Sequence, residues 1–185
     1  MDMKLEQQTG LIDGVAYRCS PNQDARPDDT DISGVIIHNI SLPPGEFGGG
    51  WIDDLFMNQL DPKAHPYFEQ IKGMEVSAHV LIRRDGEVVQ YVPFEQRAWH
   101  AGKSNWEGRE RCNDFTIGIE LEGCNDQYFE AVQYEQLADL VLLLCETYPL
   151  ITKAQLKGHN QISPGRKMDP GPYFDWEMLY GLLLE

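Results

Sequence analysis

Gly34-Val35-Ile36-Ile37-His38 is a short apolar run, β-branched through its middle, that ends in a histidine. Such brevity and branching read as a buried strand, since Val and Ile fit a pleated surface and a helix needs a longer periodic segment. Residues 115–121, Phe-Thr-Ile-Gly-Ile-Glu-Leu, read as a second buried strand. Two further β-like runs, 76–84 and 87–93, surround Arg84-Asp85-Gly86. Asp-Gly between such runs predicts an antiparallel hairpin. Helical patterns stand around these strands. Trp51, Ile52, Leu55 and Phe56 recur at helical spacing before a break at Pro62, and a short helix is expected over 66–72. Tyr134, Leu137, Ala138, Val141, Leu142 and Cys145 mark one wide helix face closed by Pro149. Residues 176–184 read as a terminal helix. The expected fold class is therefore α/β: a single domain over residues 1–185, with a mixed central β-sheet flanked by α-helices.

The connecting segments are polar or rich in turn formers. Residues 20–31 read as a surface lead-in, residues 41–50 as a loop with four glycines and two prolines, and residues 157–172 as irregular chain with three prolines. At 185 residues the chain suits one domain with a proper core. Acids outnumber bases 30 to 15, for a formal charge of -15. That field repels phosphate backbones and anionic lipid heads, so neither nucleic acid nor membrane is an expected partner. No apolar run approaches the roughly 20 residues of a spanning helix, and residues 1–10 lack a basic head followed by a hydrophobic segment. Cys19, Cys112, Cys124 and Cys145 are dispersed without a CxxC pair, which suits reduced thiols in the cytoplasm.

His38 ends a strand beside a glycine-rich loop, and His159 opens the irregular segment, with Asp169 ten residues on and Lys167 between. Two histidines and one carboxylate, with a fourth position left for water, form a catalytic zinc set. The same histidines also fit hydrogen-bonded structural roles, and no HExxH displays two ligands on one helix. Strand alternation puts Glu120 and Glu122 on one face and Ile117, Ile119 and Leu121 on the other. Two acids on one face usually mark a solvated face. The alternative is that Glu120 faces a cleft and takes a proton from water. His79 and His100 read as structural residues or as support for neighbours, and His65 as a surface residue beside Pro66.

Four long stretches carry a resemblance: HNISLPPGEFGG (38–49), SAHVLIRRDGEVVQYVPF (77–94), RAWHAGKSNWEGRERCNDFTIGIELEG (97–123) and GHNQISPGRKMDPGP (158–172). Together they resemble the type 2 N-acetylmuramoyl-L-alanine amidases, and among them the cytoplasmic 1,6-anhydro-N-acetylmuramyl-L-alanine amidases. The likeness runs from about residue 14 to 176. It implies one Zn2+ held by His38, His159 and Asp169, with Glu120 as the catalytic acid and Lys167 as the catalytic lysine. It implies hydrolysis of the amide between the lactyl group of anhydro-muramic acid and L-alanine, by a cytoplasmic enzyme acting on small muropeptides in cell-wall recycling; a monomer is the expected unit. Asn39, Ala98, Trp99 and Arg111 fall in stretches that contact muropeptide in relatives, and Arg111 would take a peptide carboxylate through its fork. Lys167 has a simpler reading as a surface cation paired with Asp169 or Glu120. One departure stands out: relatives often carry arginine just before the 76–79 stretch, where this chain has Glu75. Two other readings stay open, a peptidoglycan-binding module that does not cut and an amidase for ordinary muramyl chains of the envelope.

Overall fold

A computed structural model describes residues 3–6, 8–28 and 30–184. The two apolar runs that open the sequence argument lie side by side at its centre. β2 (Gly34–Ile40) and β5 (Thr116–Glu122) pair in parallel over seven residues, from Thr116 opposite Gly34 to Glu122 opposite Ile40. On the other side of β5 lies β3 (Val80–Ile82), also parallel, joined by the Asp85-Gly86 turn to antiparallel β4 (Val88–Gln90). Gly86 closes that turn with φ at +87°, in the left-handed region where a Cβ is costly. β1 (Ala16–Tyr17) and β6 (Leu156–Gly158) complete the edges, giving the order β6-β2-β5-β3-β4-β1. The sheet is thus mixed: four parallel strands, one reversed by the hairpin, and a short edge strand beside it.

Alternation along the strands separates two layers. Val35, Ile37, Val80, Ile82, Ile117, Ile119 and Leu121 point to one side and pack on α3 (Ala131–Thr147) and α5 (Trp176–Leu184) through Leu137, Leu140, Val141, Leu144 and Leu179. Each such side chain, fully buried, contributes about 1.5–3 kcal/mol, so this layer anchors the fold. On the opposite side, Leu81 and Val89 meet α1 (Trp51–Phe56) and α2 (Pro66–Gln70) through Ile52, Phe56 and Phe68. Ile36 is buried on that side with Trp106, Cys112 and Phe115. His38 and Glu120 follow Ile36 and Gly118 on this second face, in direct register with each other.

The structure departs from the sequence reading in three places. The lead-in of residues 20–31 is partly interior: Ser20 and Asn22 are buried, and residues 23–25 pair with residues 96–98 as a two-stranded ribbon. Its polar side chains are employed on backbone, with Ser20 Oγ donating to the Phe56 carbonyl and Asn22 Nδ2 to that of Val76. Polarity there reflects hydrogen bonding rather than exposure. The run 76–84 forms strand only over Val80–Ile82. Residues 157–172 hold the end of β6 and a one-turn helix, α4 (His159–Ile162), which the three prolines disguise. The four cysteines are free.

Candidate metal centre

Three chain segments bring the predicted ligands together. His38 lies near the end of β2. His159 is the first residue of α4, directly after β6, which pairs with β2. Asp169 comes back to them because the Asn160 amide donates to the Asp169 carbonyl at 2.9 Å. Gly158 allows this return: a Cβ there would stand 2.7 Å from Pro170 Cδ. The result is a triangle. His38 Nδ1, His159 Nδ1 and Asp169 Oδ2 are each 3.0 Å from the other two.

These three atoms cannot all be hydrogen-bonded to one another. His159 Nε2 lies 3.0 Å from the Ala101 carbonyl, which only accepts, and 3.3 Å from Arg166 Nη2, which only donates; the shorter contact favours the ring proton on Nε2. With the proton there, Nδ1 turns a lone pair toward the other two acceptors. Mutual repulsion of three acceptors is relieved by a cation between them, a proton or a metal ion. Ligands about 2.0–2.1 Å from a tetrahedral zinc stand roughly 3.3 Å apart, close to the spacing here. Burial holds His38 neutral, with its pKa lowered to about 4; the Asp169 contact opposes this, and the His159 and Lys167 charges add to it. Asp169 is held below the usual carboxylate range: burial pushes it up, and its contacts to the two imidazoles more than offset that. A neutral His38 imidazole and an ionised Asp169 carboxylate are protonation states a divalent ion needs.

Glu120 sits beside His38 on the same face of the sheet. Its Oε2 is shut off from solvent and accepts no hydrogen bond. Burial raises its pKa well above the ordinary value and the Asp169 charge adds to this, while Lys167 opposes. The expected solvated face for Glu120 and Glu122 is therefore not what the fold makes. Glu122 is buried too, and accepts from the Gly48 amide at 2.6 Å and the Arg84 amide at 3.2 Å. Lys167 is exposed at the cleft, and its ammonium forms none of the ion pairs with Asp169 or Glu120 that its simpler reading required.

The triad and Glu120 open into a cleft of about 530 Å³ that Leu42, Pro44, Tyr67, Met74, Trp99 and Asn125 also line. Asn39 faces it, tied by its Nδ2 to Asn125 Oδ1 at 2.7 Å and the Pro170 carbonyl at 2.8 Å. Trp99 is both wall and anchor: its Nε1 donates to Asp24 Oδ1 at 3.1 Å. Two of the predicted substrate residues lie elsewhere. Ala98 is fully buried in the apolar layer beneath the cleft, and alternation along its strand turns it away from the opening. Arg111 is exposed, pairs with Asp114 at 3.2 Å, and lines a separate cavity with Lys103 and Arg166. Glu75 lies at a small cavity beside Met74 and Lys72. His65 is half-buried and caps α2, its Nδ1 accepting from the Tyr67 amide at 3.1 Å.

Sequence reasoning missed Asp24 and Arg26. Asp24 holds Trp99 and also Arg97, yet it sits 75 positions from Trp99 in a segment that reads as surface. Arg26 is half-buried, its guanidinium donating to the carbonyls of Phe94, Asn113, Asp114 and Thr116, with His79 Nε2 3.1 Å away. No sequence signal marks either. His79 is fully buried and His100 is half-buried at the cleft, each with its pKa pushed well below the ordinary value, first by desolvation.

The N-acetylmuramoyl-L-alanine amidase family model matches residues 28–172. The chain is 57% identical over 174 residues to the 1,6-anhydro-N-acetylmuramyl-L-alanine amidase AmpD of Escherichia coli K12, covering 94% of this chain and 93% of that protein. The crystal structure of a selenomethionine AmpD derivative superposes with a TM-score of 0.94 at 54% identity, covering 98% of this chain and 99% of that one. The Escherichia coli amidase AmiD, solved with anhydro-N-acetylmuramic acid-L-Ala-D-γ-Glu-L-Lys, superposes at a TM-score of 0.60 and 29% identity, over 85% of this chain and 60% of that one. No described helix is long and apolar enough to cross a membrane.

Proposed function

The chain belongs to the N-acetylmuramoyl-L-alanine amidase family, and from that membership we propose that it hydrolyses the amide between the lactyl group of 1,6-anhydro-N-acetylmuramic acid and L-alanine in muropeptides. The observation that carries this is the convergence of two imidazole nitrogens and one carboxylate oxygen beside a shielded glutamate at the floor of a cleft. We assign one zinc ion to His38, His159 and Asp169. Bound there, it lowers the pKa of water from 15.7 to about 7 and polarises a carbonyl oxygen.

The chain's own groups do the rest. Glu120 takes the proton from water as oxygen adds to the lactyl carbonyl. It then hands that proton to the alanine nitrogen, so that the C–N bond breaks to a carboxylic acid and an amine. A carboxyl raised by burial and a neighbouring charge is suited to both transfers. Positive charge in the triad pulls Glu120 back toward ionisation, so it starts as base. Lys167 donates to the oxyanion as it develops, an interaction commonly worth about 3 kcal/mol. Trp99 and Asn39 bound the substrate. Arg111 would meet only a peptide long enough to leave the main cleft, and Ala98 supports the wall beneath it. Four free thiols fit a cytoplasmic setting, with recycled muropeptides as the substrate pool and a monomer as the working unit.

Mass-spectrometric cleavage of anhydro-muramyl tripeptide and its non-anhydro counterpart, by zinc-loaded and chelator-stripped protein, tests the reading. Zinc-dependent release of tripeptide, mainly from the anhydro substrate, is expected. Equal cleavage of both moves the role to general wall hydrolysis. No cleavage by zinc-loaded protein leaves a binding module.

A further inference from the structure

His38 can serve as an Nδ1 ligand only if its ring proton sits on Nε2, and a chain of hydrogen bonds beside the site favours that position. The chain starts at a backbone carbonyl. Thr116 Oγ1 donates its one proton to the Cys112 carbonyl at 2.6 Å. Toward His100 it therefore shows a lone pair, and His100 Nε2 approaches it at 3.4 Å, a long contact that still favours a proton on that nitrogen. His100 is half-buried, and with its proton on Nε2 its Nδ1 carries a lone pair. That lone pair faces His38 Nε2 at 2.9 Å. His38 is buried, and among the described residues His100 Nδ1 is the one partner of its Nε2. A proton on Nε2 is donated there, which frees Nδ1 for the triangle with His159 and Asp169; the other tautomer, Nδ1–H donating to Asp169 Oδ2 at 3.0 Å, is closed once a cation lies between those atoms. The two rings stand edge to face, with centroids 5.0 Å apart.

We propose that His100 is a positioning residue for the metal centre: it accepts from His38 Nε2–H, fixing both the tautomer and the ring plane of that ligand. His159 gets the same service from the Ala101 carbonyl. The inference rests on the zinc amidase reading above. It differs from a packing role in a testable way, because packing needs a ring of the right volume and positioning needs an acceptor.

Zinc affinity measured by chelator competition on wild-type, H100L and H100N protein separates the two. Leucine fills the space without an acceptor; asparagine places Oδ1 where Nδ1 stood. H100L is expected to bind zinc 10- to 100-fold more weakly, the range for loss of a ligand's hydrogen-bond partner, while H100N stays within a few fold of wild type. Nitrogen-15 NMR of the zinc-loaded wild type is expected to show a protected His38 Nε2–H with scalar coupling to His100 Nδ1. Wild-type affinity in folded H100L, or absence of that coupling, overturns the proposal while leaving the amidase reading intact. Failure of wild-type protein to bind zinc overturns both.

Discussion

Gly118 lies beneath the His100 ring, and replacing it with alanine tests how rigidly that ring is held. A Cβ built on Gly118 stands 2.4 Å from His100 Cγ and 2.6 Å from its Nδ1. Carbon atoms in contact normally sit about 3.5–4.0 Å apart, so the ring must retreat by more than about 1 Å. A shift of only about 0.6 Å along the contact to His38 carries its 2.9 Å hydrogen bond out of range. The backbone stays in place: Gly118 donates to His79 Nδ1 at 3.0 Å and accepts from the His79 amide at 3.0 Å. Overpacking of this kind costs about 1–3 kcal/mol, offset by up to about 1 kcal/mol because alanine restricts the unfolded chain. The net loss of about 1–2 kcal/mol lowers Tm by roughly 2–8 °C in a chain of this size. Thermal unfolding of Gly118→Ala in wild-type and His100→Ala backgrounds reads this directly. In the second background the methyl has room, and the penalty is expected to vanish. An equal penalty in both backgrounds, or none in either, would refute the argument that the ring is trapped between strand and ligand.

Three further substitutions test the same structure. Glu120→Gln should keep bound zinc and lose about 10²- to 10⁴-fold in kcat, and persistent turnover would remove Glu120 from the proton-transfer role. The fold disfavours the ionised Glu120, a penalty absent below its ordinary pKa of 4.5 and growing above it, so metal-free Glu120→Gln should melt higher than wild type at pH 7 and equally at pH 4. Asp24 behaves in the opposite sense: Arg97 holds its pKa below the ordinary 3.8, so its contribution is present above that pH and fades as pH falls further. Asp24→Asn should therefore lower Tm slightly at pH 7, with a difference that shrinks below pH 4, and raise KM by loosening Trp99. Asp53→Ala strips Tyr91 of its buried partner and Arg83 of its 2.9 Å one, a loss of about 3 kcal/mol or roughly 6–12 °C in Tm; an unchanged melting curve would show that Glu87 and Glu122 suffice for Arg83.

The strands and helices were legible because their apolar periodicity is local. The run ending at His38, the Asp85-Gly86 hairpin and the face from Tyr134 to Cys145 each state their element within a few residues, and all three stand as read. The candidate ligands were legible as residue types in suggestive places, and the family likeness named their roles. What misled was polarity. Ser20 and Asn22 looked like surface and are interior; of the pair that looked like a wet face, Glu122 is buried and Glu120 is half-buried at the cleft with Oε2 shut off from solvent. A polar residue in sequence does not say whether water or a buried carbonyl will satisfy it.

Sequence alone determined the α/β class, the order of the main elements and the short list of chemically able side chains, because those depend on local pattern and residue identity. Tertiary structure decided what those side chains can do. The parallel register of β2 and β5 puts His38 beside Glu120, and one amide from Asn160 returns Asp169 to His159. Asp24 reaches Trp99, and His100 meets His38, across 75 and 62 positions of chain. Coordination, proton position and shielding depend on distances between groups remote in sequence, and only the packed sheet brings those groups within about 3 Å of one another.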